Sequence, residues 1–133
     1  MSDRSVLAQT VFHEARGESL EGQKAAAFVV VNRARANRGY WGGNTIQGVC
    51  LHPYQFECWN GRRPVPDSEM NRYPDVNVYH QILGWVDDVI ARRIGDPSEG
   101  ALYYNNPSKE NADWVKDVRV IKRIGNHVFY GEK

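Results

Sequence analysis

A chain of 133 residues falls in the usual size range of one compact domain, with room for one active site rather than two. Hydrophobic residues at 41%, charged residues at 25% and a formal net charge of +1 exclude a disordered chain and argue against a cationic nucleic-acid binder, whose affinity would come from clustered Lys and Arg neutralising phosphates. The longest apolar run, Ala25 to Val31, is far short of the roughly 20 residues a membrane span needs, so no stable membrane insertion is expected.

From Asp3 to Arg16 the residues Val6, Leu7, Thr10 and Val11 fall on one helical stripe, with Ser2 or Asp3 available as N-cap and Gly17 as the stop. A second helix is expected from about Glu21 to Asn37. Ala25 to Val31 make it apolar on nearly every face, which places it centrally in the core, with a buried strand as the competing reading. From Arg38 to Pro74 the chain is punctuated by Gly39, Gly42, Gly43, Pro53, Gly61, Pro64, Pro66 and Pro74 and reads as irregular. A stretch of that length without regular structure is uncommon in a compact domain and points to function. Its aromatic residues, Tyr40, Trp41, Tyr54, Phe56 and Trp59, suit stacking on sugar rings or, equally, a miniature core within the loop. Cys50 and Cys58 flank a turn at Pro53-Tyr54; their spacing permits a disulfide loop without requiring one, and no CxxC pair suggests structural zinc.

A third helix is predicted from about Asp75 to Ile94, carried by Val78, Ile82, Trp85, Val86, Val89 and Ile90, closed by Gly95-Asp96-Pro97 and packed on the second. Three β-prone pieces follow, Ala101 to Tyr104, Val118 to Lys122 and His127 to Tyr130, enough for a small antiparallel sheet.

The most informative segment is His13-Glu14-Ala15-Arg16-Gly17-Glu18. Counting from Val6 through Thr10 and from Val11 puts Glu14 on the apolar stripe of the first helix, so its carboxylate is aimed at the core side. Partial burial and the orphan carbonyls of a helix C-terminus both disfavour ionisation, which is what a general acid for glycosidic cleavage requires. The plainer reading is a salt bridge to Arg16 or Arg33. A hydrolase would need a second carboxylate, about 6.5–9.5 Å away if inverting and about 5–5.5 Å if retaining. Glu18 is the nearest candidate in sequence, and Glu21, Glu57 and Asp67 are others.

Glu14-Ala-Arg-Gly-Glu18, Glu21-Gly-Gln23 and the Ala/Val-rich helix ending in Val31-Asn32-Arg33 resemble the SleB-type cell-wall hydrolases, a family named for a spore-cortex-lytic enzyme. The resemblance continues through Thr45-Ile-Gln-Gly-Val49, Pro53-Tyr-Gln-Phe56, Ala101-Leu-Tyr-Tyr104, Asn106-Pro107, Trp114 and Ile124-Gly-Asn-His-Val-Phe129, and covers almost the whole chain. It implies an α+β, mainly helical, lysozyme-like fold with a small antiparallel β-element, and one catalytic domain over residues 1–133. It also implies cleavage of peptidoglycan between N-acetylmuramic acid and N-acetylglucosamine, with no metal or organic cofactor. The family's catalytic glutamate is the first of the Glu-Ala-Arg-Gly-Glu motif, Glu14 here. A lytic transglycosylase needs only that residue, because the muramic acid C6 hydroxyl attacks intramolecularly. Gln55, which some members lack, and Phe56, Trp59, Tyr104 and Asn106 are the candidate substrate-binding residues, and Asn105 stands where an aromatic is common. His127 and Asn32-Arg33 are read as structural.

The expected setting is a monomer acting on peptidoglycan in the periplasm. Met1 to Ser5 show no secretory signal, so synthesis in the cytoplasm and delivery by a separate holin or export partner are expected, as for a phage endolysin. Alternatives are a hydrolytic muramidase, an N-acetylmuramoyl-L-alanine amidase, and a non-enzymatic glycan-binding or virion structural module. A zinc amidase is disfavoured because the HExxH motif needs a histidine four residues after His13, where Gly17 stands.

Overall fold

The computed structural model describes Met1–Lys133. Helix α1 spans Asp3–Ala15 and opens on Ser2, whose hydroxyl accepts the Ser5 N–H at 3.1 Å. Helix α2, Leu20–Ala36, opens on Ser19 in the same way and closes on Asn37, in the left-handed conformation at φ 53°. Ala25 to Val31 are all buried, so α2 takes the central place its composition requires.

The segment read as irregular contains one short α-helix, α3 (Ile46–Leu51), capped by the Thr45 hydroxyl. Its packing depends on two glycines. A Cβ on Gly42 (φ 97°) would meet the Gly48 carbonyl oxygen at 2.1 Å, and one on Gly48 would meet the Gly42 carbonyl oxygen at 2.4 Å. The 3-10 turn Gly39–Trp41 precedes that close approach, and the Trp41 side chain is buried against Tyr103 and Arg33.

The third predicted helix is two helices, α4 (Val76–Leu83) and α5 (Val86–Ile90), with a break at Gly84-Trp85. Gly84 caps the first, and Arg4 of α1 braces both, donating to the Leu83 carbonyl at 2.9 Å and to the Asp87 side chain at 3.0 Å. As a result α4 packs on α1, and α5 reaches α2.

Strands β1 (Tyr103–Asn105), β2 (Val118–Ile124) and β3 (His127–Glu132) form an antiparallel sheet in the order β1-β3-β2, with Tyr104 opposite Phe129 and Ile124 opposite His127. The helices enclose a large apolar core. A smaller one joins Ala25 and Val29 of α2 to Ala101, Ile124 and Phe129, and Tyr104 packs against both. Cys50 and Cys58 are free thiols rather than a disulfide. No helix is long and apolar enough to cross a membrane.

Candidate active site

Glu14 lies in the last turn of α1, on the face that buries Val6 and Thr10. Its Oε2 accepts the backbone N–H of Cys58 at 3.3 Å, and its Oε1 accepts the Tyr104 hydroxyl at 3.3 Å. Three segments distant in sequence thus converge on one carboxyl group. The Cys58 side belongs to the 3-10 turn Glu57–Trp59, which is pinned to α1 by Trp59: its indole N–H donates to the Thr10 hydroxyl at 3.0 Å and its ring meets His13 edge-on at 5.7 Å. Trp59 is therefore turned toward α1 and is not among the residues that line the cleft in front of Glu14.

Burial raises the pKa of Glu14. Hydrogen bonds from the Cys58 backbone and thiol and from Tyr104 oppose that shift without reversing it, and the charge of Glu57 adds to it. Tyr104 is held well above the usual tyrosine range, first by burial and then by the Glu14 charge, so its hydroxyl stays a donor. His13 is lowered to about 4 by burial and by Arg62, Arg16 and Arg72. The pKa of His127 is also lowered, by burial, with Glu18 opposing. Burial thus favours the neutral form of both imidazoles and the protonated form of Glu14.

Glu14 opens into a cavity of about 690 Å³ that Gln55, Phe56, Tyr104 and Asn106 also line. Phe56 forms apolar wall. Asn106 shapes the rim: its Oδ1 accepts the Ser108 N–H and hydroxyl, and its carbonyl accepts the Lys109 and Glu110 N–H groups. Trp41, Tyr103 and Trp114 continue the lining as a row of rings with centroids 5.5 and 5.6 Å apart. Tyr54 stands at the mouth, 87% exposed and in a left-handed backbone conformation at φ 63°. Such a polar, aromatic-walled groove suits a substrate that offers flat ring faces together with hydrogen-bonding groups.

Glu18 faces elsewhere. Its two oxygens accept the Asn126 backbone N–H and side-chain N–H, each at 3.0 Å, tying the α1–α2 connection to the β2–β3 turn. Desolvation works to raise its pKa, but those hydrogen bonds, with His127 and Lys109, bring it below the ordinary value. The carboxylates that share the cavity with Glu14 are Glu57 and Glu110. Neither salt bridge open to Glu14 in the sequence forms: Arg16 pairs with Asp75 at 2.8 Å, and Arg33 donates to the Leu102 carbonyl and to Gln55. No group of three or more His, Cys, Asp or Glu side chains is arranged to hold a metal ion.

Several lining residues escaped the sequence reading. Tyr103, quoted only as part of a motif, lines the cavity, and Cys58 reaches Glu14 from outside that lining through its backbone N–H. Arg33, read as structural, does satisfy a backbone carbonyl but also lines the cavity; an arginine in a helix apolar on nearly every face was the available clue. His127 lines it too, its ring tilted against that of Tyr104 with centroids 4.9 Å apart. Asn32 is structural, donating to Asp96 and the Ala101 carbonyl and so fixing the approach to β1.

Comparison with known proteins agrees with this architecture. The family profile described as Cell Wall Hydrolase matches residues 17–130, beginning just after Glu14. The spore cortex-lytic enzyme of Bacillus subtilis (strain 168) is 36% identical over 132 residues, which are 96% of this chain and 37% of that protein. The enzyme of the same name from Halalkalibacterium halodurans is 34% identical, over 96% of this chain and 34% of that protein. The chain thus spans about a third of the length of these curated relatives. Among solved structures, the catalytic domain of the germination-specific lytic transglycosylase SleB from Bacillus anthracis aligns with a TM-score of 0.70 and 30% identity, covering 97% of this chain and 93% of that one. The Bacillus cereus SleB catalytic domain aligns with a TM-score of 0.71 and 29% identity, covering 97% and 89%.

Proposed function

The chain belongs to the Cell Wall Hydrolase family, and from that membership and the geometry around Glu14 we propose that it cuts peptidoglycan strands between N-acetylmuramic acid and N-acetylglucosamine as a lytic transglycosylase, residues 1–133 acting as one catalytic domain. The observation that carries this reading is a partly buried carboxyl group with a raised pKa, facing a polar groove and held by donors from Cys58 and Tyr104. The similar SleB domain from Bacillus anthracis belongs to a lytic transglycosylase, which supports the same reaction here.

The protonated Glu14 gives its proton to the bridging oxygen as the bond from that oxygen to C1 of the muramic residue breaks. Glu14, now a carboxylate, takes the proton of the muramic C6 hydroxyl while that oxygen bonds to C1. The products are a free 4-hydroxyl on the glucosamine side and a 1,6-anhydro muramic end; no water is consumed and Glu14 recovers its proton. Cys58 and Tyr104 suit the carboxylate half of this cycle, because both donate to it. Burial suits the acid half. Engagement of Glu18 at the β2–β3 turn favours a single acid/base residue.

A hydrolytic muramidase is the second reading, favoured by one observation: Glu57 lines the same cavity and its charge bears on Glu14. Mass spectrometry of digested peptidoglycan separates the possibilities. Anhydro ends are expected from the wild type and none from Glu14→Gln; reducing ends lost in Glu57→Gln would replace transglycosylation by hydrolysis, and released stem peptides would indicate an amidase. Glycan binding without any product would mark a binding module. The relatives named above are spore enzymes, and they give the phage endolysin role no support.

A further inference from the structure

Arg33 is 8% exposed, yet no carboxylate lies within ion-pair reach of it, in contrast to the five arginine and lysine pairs elsewhere in the fold. A buried charge without a counter-ion is costly, and its remaining donors matter. Nε donates to the Leu102 carbonyl at 2.6 Å and Nη1 to Gln55 Oε1 at 3.1 Å. The guanidinium is also set among three ring faces, with centroids at 5.3 Å (Trp41), 5.6 Å (Phe56) and 5.6 Å (Tyr103). Arg33, Gln55 and these three rings all line the Glu14 cavity. Since a guanidinium only donates, the amide oxygen of Gln55 must face it, and the Gln55 NH₂ is left with no protein acceptor. Nη2 of Arg33 likewise has none.

We propose that Arg33 and Gln55 form a two-donor clamp that holds an acyl oxygen of the saccharide in the Glu14 cleft. The aromatic walls keep the guanidinium rigid and partly dehydrated, so a neutral or anionic acceptor placed there gains a charge-assisted hydrogen bond at little ordering cost. Two groups on the substrate offer that chemistry: the 2-acetamido carbonyl, found on every residue, and the lactyl acyl group, found only on muramic acid. The clamp rests on the glycan-cleaving reading, deepening it by naming the substrate atoms that are recognised.

The test uses the full chain carrying Glu14→Gln as the parent, titrated calorimetrically with chitotriose, which has acetamido groups only, and with a peptide-free muramic acid–glucosamine tetrasaccharide. Adding Arg33→Lys should weaken binding about tenfold or more. Equal loss for both ligands assigns the acetamido oxygen, and loss confined to the muramic ligand assigns the lactyl oxygen. Arg33 also supports β1 through Leu102, so Gln55→Glu is the control that a purely structural role would not satisfy. It gives Arg33 a counter-ion and should raise Tm, while removing the free NH₂ and weakening binding at least tenfold. Parent-like affinity in both variants overturns the clamp. A parent that binds neither ligand overturns clamp and glycan reading together, whereas product formation by the parent overturns only the role of Glu14.

Discussion

The Tyr104 hydroxyl meets Oε1 of Glu14 at 3.3 Å, joining the end of the first helix to the first strand of the sheet across ninety positions of chain. Tyr104 itself is packed among Phe56, His127 and Phe129, so its hydroxyl has little freedom to point elsewhere. Its hydrogen bond favours the ionised carboxylate. Tyr104→Phe should therefore raise the pKa of Glu14 further and move the alkaline limb of the pH–activity profile upward, since activity is lost as Glu14 deprotonates. At the optimum, the rate should fall about 2- to 10-fold, the worth of one ordinary hydrogen bond. An unshifted limb, measured on soluble glycan fragments, would show that Tyr104 only packs.

Glu14→Gln should lower turnover by about 10² to 10⁴, the usual contribution of a general acid. It should also stabilise the fold in a pH-dependent way. Because the folded protein holds the Glu14 proton more tightly than the unfolded chain, wild-type stability falls as pH rises from the ordinary glutamate value to the raised one, then levels off. The glutamine variant lacks that term. Its Tm advantage should thus be small in acid, grow through that window and stay constant above it. A constant difference at all pH values would mean that Glu14 is not strained by burial.

Glu18→Gln separates a structural from a catalytic carboxylate. The Glu18 oxygens cap the β2–β3 turn, at a partly exposed site, so its loss should cost about 1 kcal/mol of stability after allowance for solvent. Its lowered pKa gives the opposite sign to Glu14: the stability it contributes is present above the unfolded value and lost as pH falls through the folded one. Product identity and rate at a temperature where the variant is folded should match wild type. Loss of turnover without loss of Tm would return Glu18 to the catalytic set.

Helices α1 and α2 were legible because their signals are local: a serine cap, an apolar stripe and a stop for α1, and a long Ala/Val run for α2. Helix α3 was hidden because its glycine, Gly48, argues against helix in isolation and makes sense only against Gly42. The division of α4 from α5 had only Gly84 as a local sign, and the Arg4 contacts that brace both helices come from some eighty positions upstream. The face carrying Glu14 followed from counting along α1. Of the two hydrogen-bond partners of Glu14, Tyr104 stood in a recognisable motif, whereas the Cys58 N–H is a tertiary partner with no side-chain signature. Trp59 and Glu18 show the converse: an indole or a carboxylate beside a motif reads the same whether it faces a cleft or, as here, Thr10 and Asn126.

Tyr54 offers a direct test of glycan contact. It exposes an aromatic face at the cleft mouth while holding a backbone angle, φ 63°, that a residue with a Cβ adopts only at a cost. Removing the ring at so exposed a site should change stability by no more than about 0.5 kcal/mol, whereas loss of stacking on a sugar should weaken binding about 2- to 10-fold. Tyr54→Ala should accordingly bind soluble glycan more weakly with Tm almost unchanged. Tyr54→Gly removes the same ring and also relieves the left-handed backbone, so it should show the same loss of affinity together with a Tm at or above that of Tyr54→Ala. Calorimetry and thermal melts on the two variants check both halves, and wild-type affinity in each would mean that the ring does not meet the substrate.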